Sequence, residues 1–144
     1  MSADDAIVCL NQVLSDVIDE ITAMKQARRI VPETHALRGS LDQFFADLVT
    51  WKELLIERDE LLGVSPLAFI PSAAGRQPTN LWPHGVDDHV VRRTVEGQID
   101  RLADHVRSAM NEQQNEESRA ALAEIEQGLL ARRRSLERSV DPAQ

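Results

Sequence analysis

Apolar residues recur along this chain at intervals that alternate between four and three. In the first segment they are Ala3, Ile7, Leu10, Leu14, Val17, Ile21 and Met24, a spacing that gathers them on one side of a helix. Ala6, Val13 and Ile18 widen that face, while Val8 and Cys9 fall on the outer side and point to a second contact surface near this end. Ser2, Asp4 and Asp5 suit a helix start, because acids are favourable at the positive end of the helix dipole. Pro32 closes the segment. The next helix is predicted to begin between Pro32 and Thr34. It carries Leu37, Leu41, Phe44, Leu48, Trp51, Leu55 and Leu62 in register, with Gly63 as its stop signal. A third stripe, Val91, Val95, Ile99, Leu102, Val106 and Met110, starts near Asp87; after the polar turn "NEQQNEE" a fourth holds Leu122, Ile125, Leu129, Leu136 and Val140. The pattern predicts an all-α protein, a single helical-bundle domain over 1–144 with helices at 3–29, 33–62, 87–110 and 116–139. The expected topology is an up-down-up-down four-helix bundle.

The long connection, "GVSPLAFIPSAAGRQPTNLWPHGV" at 63–86, holds Pro66, Pro71, Pro78 and Pro83 and breaks every period. Loops of this length are often functional. It is also apolar, so Leu67, Phe69, Ile70, Leu81 and Trp82 are expected to fold back over one end of the bundle.

Composition narrows the functions. Hydrophobic residues make up 42% of 144, enough for a contiguous core. Aromatics are 3%, with no Tyr, which removes the material for stacking nucleic-acid bases. A net charge of −8 opposes binding to phosphate backbones or anionic lipid. The exception, Arg132-Arg133-Arg134, spreads over roughly 200° of a helix and forms no flat patch. No nucleic-acid or membrane partner is expected. Cys9 is the only cysteine, so neither an intrachain disulfide nor a cysteine metal cluster can form. The acidic start and the lack of a long apolar run give the expectation of a cytoplasmic protein.

The densest candidate chemistry is "NLWPHGVDDHV" at 80–90. His84, Asp88 and His89 offer imidazole and carboxylate donors of the kind that hold a divalent metal such as zinc. Their ordinary role is local: Asp87 or Asp88 caps the third helix, and Asp88 pairs with Arg92 one turn on. A small-molecule pocket roofed by Phe69 and Trp82, with His105 beside the core stripe, is the other candidate site. His35 is expected in a helix first turn without a site role. "RQPTNLW" lacks the pattern of a phosphate loop, and no spacing selects a Ser/His/Asp or Cys/His set, so no catalytic residue is assigned.

A bundle invites comparison with diiron proteins, whose ligands include Glu-x-x-His pairs on core-facing stripes. This chain has no Glu-x-x-His. "DAIVCL" at 5–10 and "FFADLVTWKELL" at 44–55 resemble the first two helices of hemerythrin-like domains. The resemblance implies a histidine about a turn beyond "DAIVCL" and a His-x-x-x-Glu in the second helix. The first helix has no histidine, and Val49 stands four residues before Glu53.

Arg58 and Arg132 occupy apolar-stripe positions between Leu55 and Leu62 and between Leu129 and Leu136. Each needs a carboxylate partner or a place at the end of the bundle. The expected function is noncatalytic: association, as a homodimer or with another helical protein, with no cofactor. The alternative is a metal- or small-molecule-binding bundle of ferritin-like or hemerythrin-like architecture, without the usual interior ligands and with its site at the loop end.

Overall fold

The computed structural model describes residues 3–32, 35–63 and 87–139. They form four helices: α1 (Ala3–Ile30), α2 (Ala36–Leu61), α3 (Asp88–Glu112) and α4 (Glu116–Arg138). The stripes read from the sequence are the core. Leu10, Leu14, Val17 and Met24 of α1 pack with Leu41, Phe44, Leu48 and Leu55 of α2, Val91, Val95, Ile99 and Val106 of α3, and Leu122, Ile125, Leu129 and Leu136 of α4, all buried. The outer apolar surface is smaller than the sequence suggests. Val8 is half exposed, but Cys9 packs against the core.

Helix ends follow side-chain chemistry. α2 starts at Ala36, later than expected, because His35 takes the N-cap and its Nδ1 accepts the Leu37 N–H at 3.1 Å. α2 closes at Leu62, and Gly63 follows in the left-handed region at φ 80°, where a glycine carries no Cβ clash. Asp87 caps α3 by accepting from Val90, and Asn115 caps α4 by accepting from Ser118.

The direction of the third helix departs from the expected topology. Arg28 pairs with Asp42 across α1 and α2, and Arg107 with Glu126 across α3 and α4, so each is an antiparallel hairpin. Asp16 meets His105 at 2.8 Å, and Gln113 donates to the Ala6 carbonyl, which makes α1 and α3 antiparallel. Ser40 with Ser135, and Arg58 with Asn115, do the same for α2 and α4. α2 and α3 therefore run the same way, and their starts meet where His35 lies 3.3 Å from Asp88. The bundle is up-down-down-up, not up-down-up-down. The chain between Gly63 and Asp87 permits this: extended it reaches about 80 Å, roughly twice the length of a 25-residue helix. The expectation that the connection covers one end lies outside the described residues, as do Phe69, Trp82 and His84.

Two helical glycines face open space. A Cβ at Gly39 or Gly97 would meet nothing within 4 Å. Gly39→Ala and Gly97→Ala should each stabilise the fold by about 0.5–1 kcal/mol through reduced freedom of the unfolded chain. Urea midpoints that rise with an unchanged m-value would show it.

Candidate functional site

The polar interior divides into groups that are partnered and groups that are not. Arg58, on its apolar stripe, sits at the bundle end and hydrogen-bonds Glu117, Asn115 and Ser118, each at 3.2 Å. Arg132 reaches Asp47 at 2.8 Å and also Gln43. Both arginines thus find the partners that their positions demanded. Glu96 is 8% exposed yet fully served, with Arg92 on one oxygen at 2.6 Å and Arg133 on the other. These contacts tie helices together, although Arg58 Nε itself is buried without a partner.

The α1–α3 seam is different. Two adjoining cavities of about 280 and 370 Å³ run along it and share Asp16 and His105. Glu20 and Gln98 line the smaller, with Asp19, Arg101 and Leu102. Cys9, Val13, Ala109 and Glu112 line the larger. Gln98 is 4% exposed, and both its amide atoms lack a hydrogen-bond partner. Glu20 is 7% exposed, and its Oε2 has no donor. The nearest cation, Arg101, holds Nη2 at 3.8 Å from Oε1, too far for a hydrogen bond, and is itself largely exposed. Burial pushes the Glu20 carboxyl up to about 7; Arg101 opposes this, and Asp16 and Asp19 add to it. Buried polar groups are almost always hydrogen-bonded, because an orphaned one costs about 1–3 kcal/mol. Unpartnered groups that border open volume are suited to an incoming ligand.

Reactivity here is low. Burial raises the Cys9 thiol, and Glu112 and Asp5 raise it further, so it remains protonated and a poor nucleophile. His105 is engaged by Asp16.

The metal candidates do not come together among the described residues. Asp88 turns to His35 rather than to Arg92, and His89 is exposed with Nδ1 beside Arg92 at 3.1 Å. No group of three His, Cys, Asp or Glu side chains is placed to hold a metal ion among the described residues. Of the pocket trio, His105 is at a cavity, but one between α1 and α3 in the body of the bundle.

Glu20 and Gln98 were not apparent as site residues in the sequence. A signal was present: Glu20 lies one heptad from Val13 and from Ala27, and Gln98 one heptad from Val91. Each is a polar residue at a position its helix otherwise buries. No helix among the described residues is long and apolar enough to cross a membrane. No family model and no curated protein matches the chain.

Proposed function

We propose that the protein is a noncatalytic helical bundle that binds a small polar molecule in the α1–α3 groove. One observation carries this: Glu20 and Gln98 line open volume, and Glu20 Oε2 and the Gln98 carboxamide are buried without partners. The raised thiol of Cys9 favours binding over chemistry. A lone reduced cysteine suits a cytoplasmic setting.

A thermal-shift screen of small charged and neutral polar compounds, followed by amide NMR, tests the reading. A ligand at 100 times its Kd should add about 2.7 kcal/mol of stability. It should shift amides of α1 and α3 around residues 13–20 and 98–109, and Gln98→Leu should abolish the shift while leaving the fold intact. A panel in which no compound moves those amides overturns the proposal.

Association is the second reading, favoured by Val8 at 51% and Leu61 at 66% exposure. Both lie at the end of the bundle where α1 begins and α2 finishes. A homodimer, or a helical partner docked there, would cover them. Light scattering that reports a strict monomer, unchanged by Leu61→Ser, would remove the homodimer.

A further inference from the structure

We propose that the α1–α3 groove takes a linear aliphatic di- or polyamine, with one ammonium held by Glu20, the far ammonium of the longer amines held by Glu112, and methylenes lying on Val13, Leu102 and Ala109. The proposal rests on the reading of the groove as a binding site and names the ligand class.

The chemistry of the walls selects it. Asp19 and Glu20 stand at one end with Arg101, Glu112 stands at the other, and Asp16, paired with His105, lies where the two cavities meet. The balance is negative, which disfavours phosphates and carboxylates. Between the acidic ends the floor is apolar: Val13 is 1% exposed, Leu102 2% and Ala109 3%. From the level of Arg101 to that of Glu112 the groove runs about 16 Å along α3. Cations at both ends of a flexible hydrocarbon chain match acidic ends joined by an apolar floor, which the Asp16–His105 pair flanks midway.

The unmet hydrogen bonds point to the same ligand. Glu20 Oε2 needs a donor, and Arg101 supplies none to it. An ammonium carries three N–H groups. Glu20 and Gln98 line the same small cavity, so once a side-chain rotation turns their buried oxygens toward it, one N–H can donate to Glu20 Oε2 and a second to Gln98 Oε1. A hydrogen bond to a buried charge is stronger than one between neutral groups. Arg101 is 64% exposed at its side chain and can swing into solvent as the amine enters. A divalent ion fits less well, since no three of the described carboxylate, imidazole and thiol groups converge.

Isothermal titration of the intact protein with 1,4-diaminobutane and with spermidine, in about 150 mM NaCl to screen diffuse attraction, tests the assignment. The expected result is saturable one-to-one binding, with amide shifts confined to α1 and α3. Glu20→Gln should weaken both amines by about tenfold or more, the loss of one charge-assisted hydrogen bond. Glu112→Gln should weaken spermidine more than 1,4-diaminobutane, because only the longer amine spans the groove. Glu53→Gln, the same substitution at an exposed position of α2, should change affinity less than about twofold. A melting curve at or above the wild type shows that the Glu20→Gln protein is folded; if it is not, Asp16→Asn serves as the second variant. Equal weakening by Glu20→Gln and Glu53→Gln overturns the proposal, because diffuse attraction to an acidic protein would explain the binding. If neutral or anionic compounds shift the groove amides and amines do not, the ligand class is wrong and the groove stands. Silence from every compound removes both.

Discussion

Asp59→Asn should raise the melting temperature at pH 8 by on the order of 8 °C, and change it little near pH 3.5. Asp59 is 0% exposed, and neither carboxylate oxygen has a hydrogen-bond donor. Its sequence neighbour Arg58 turns away to α4, where it serves Glu117, Asn115 and Ser118. Burial alone pushes the Asp59 carboxyl from its ordinary 3.8 up to about 6. The native state therefore keeps a proton that the unfolded chain gives up near pH 4. Between those values the folded state binds more protons, so stability falls as pH rises, by about 1.4 kcal/mol per unit. The loss totals about 3 kcal/mol by pH 7 and is then flat. Asparagine is neutral throughout and removes this slope. Glu20 contributes a second fall of the same sign between its ordinary 4.5 and about 7, and that fall should survive in the Asp59→Asn protein. Thermal unfolding from pH 3.5 to 8 checks both. Parallel curves for the two proteins would mean that Asp59 is ionised and compensated in the native state.

Gly128→Ala should destabilise the protein by about 2 kcal/mol, although alanine is the better helix former. A Cβ there would lie 2.4 Å from Cζ2 of Trp51. That indole is 5% exposed and meets Phe44 edge-on at 6.4 Å between ring centroids. It is a rigid ring in a packed interior and has no free direction in which to move. α4 approaches α2 this closely because residue 128 lacks a side chain. Denaturant unfolding gives the magnitude, and near-UV circular dichroism should report a displaced tryptophan. In a Trp51→Phe background the clash is relieved, so the same glycine change should become neutral or stabilising. A stabilising effect in the wild type would show that α2 and α4 are further apart.

The helices could be read from the sequence because burial on one side of a helix imposes a period, and the period survives in the residues. Leu10, Leu14, Val17 and Met24 announce α1 whatever it packs against. The direction of α3 was hidden for the same reason: a stripe reads alike whether its helix runs up or down. The length of the connection before Asp87 was the available clue, since a hairpin needs only a few residues. His and Asp at 84–89 drew attention as a list, yet Asp88 answers His35, a residue far away in sequence that joins it through the parallel run of α2 and α3. Arg58 and Arg132 were legible as cations in apolar positions, and the structure supplies their partners. Glu20 and Gln98 were not, because an acid or amide within a mixed amphipathic stripe looks like its solvent edge until the opposite helix covers it.

The crossover also sets an order of assembly. Within each hairpin the pairs are close along the chain, as in Arg28 with Asp42 and Arg107 with Glu126. Between hairpins they are distant, as in Ala6 with Gln113 and Ser40 with Ser135. Closing long loops carries the larger entropy, so the two hairpins should form early and dock last. The α1–α3 seam then matures after the rate-limiting barrier. Substitutions at Glu20 or Gln98 should change the unfolding rate and leave the refolding rate nearly constant, whereas changes within a hairpin core should slow refolding. A ligand held in that seam would act as a brake on unfolding, visible as a displacement of only the unfolding arm in stopped-flow kinetics.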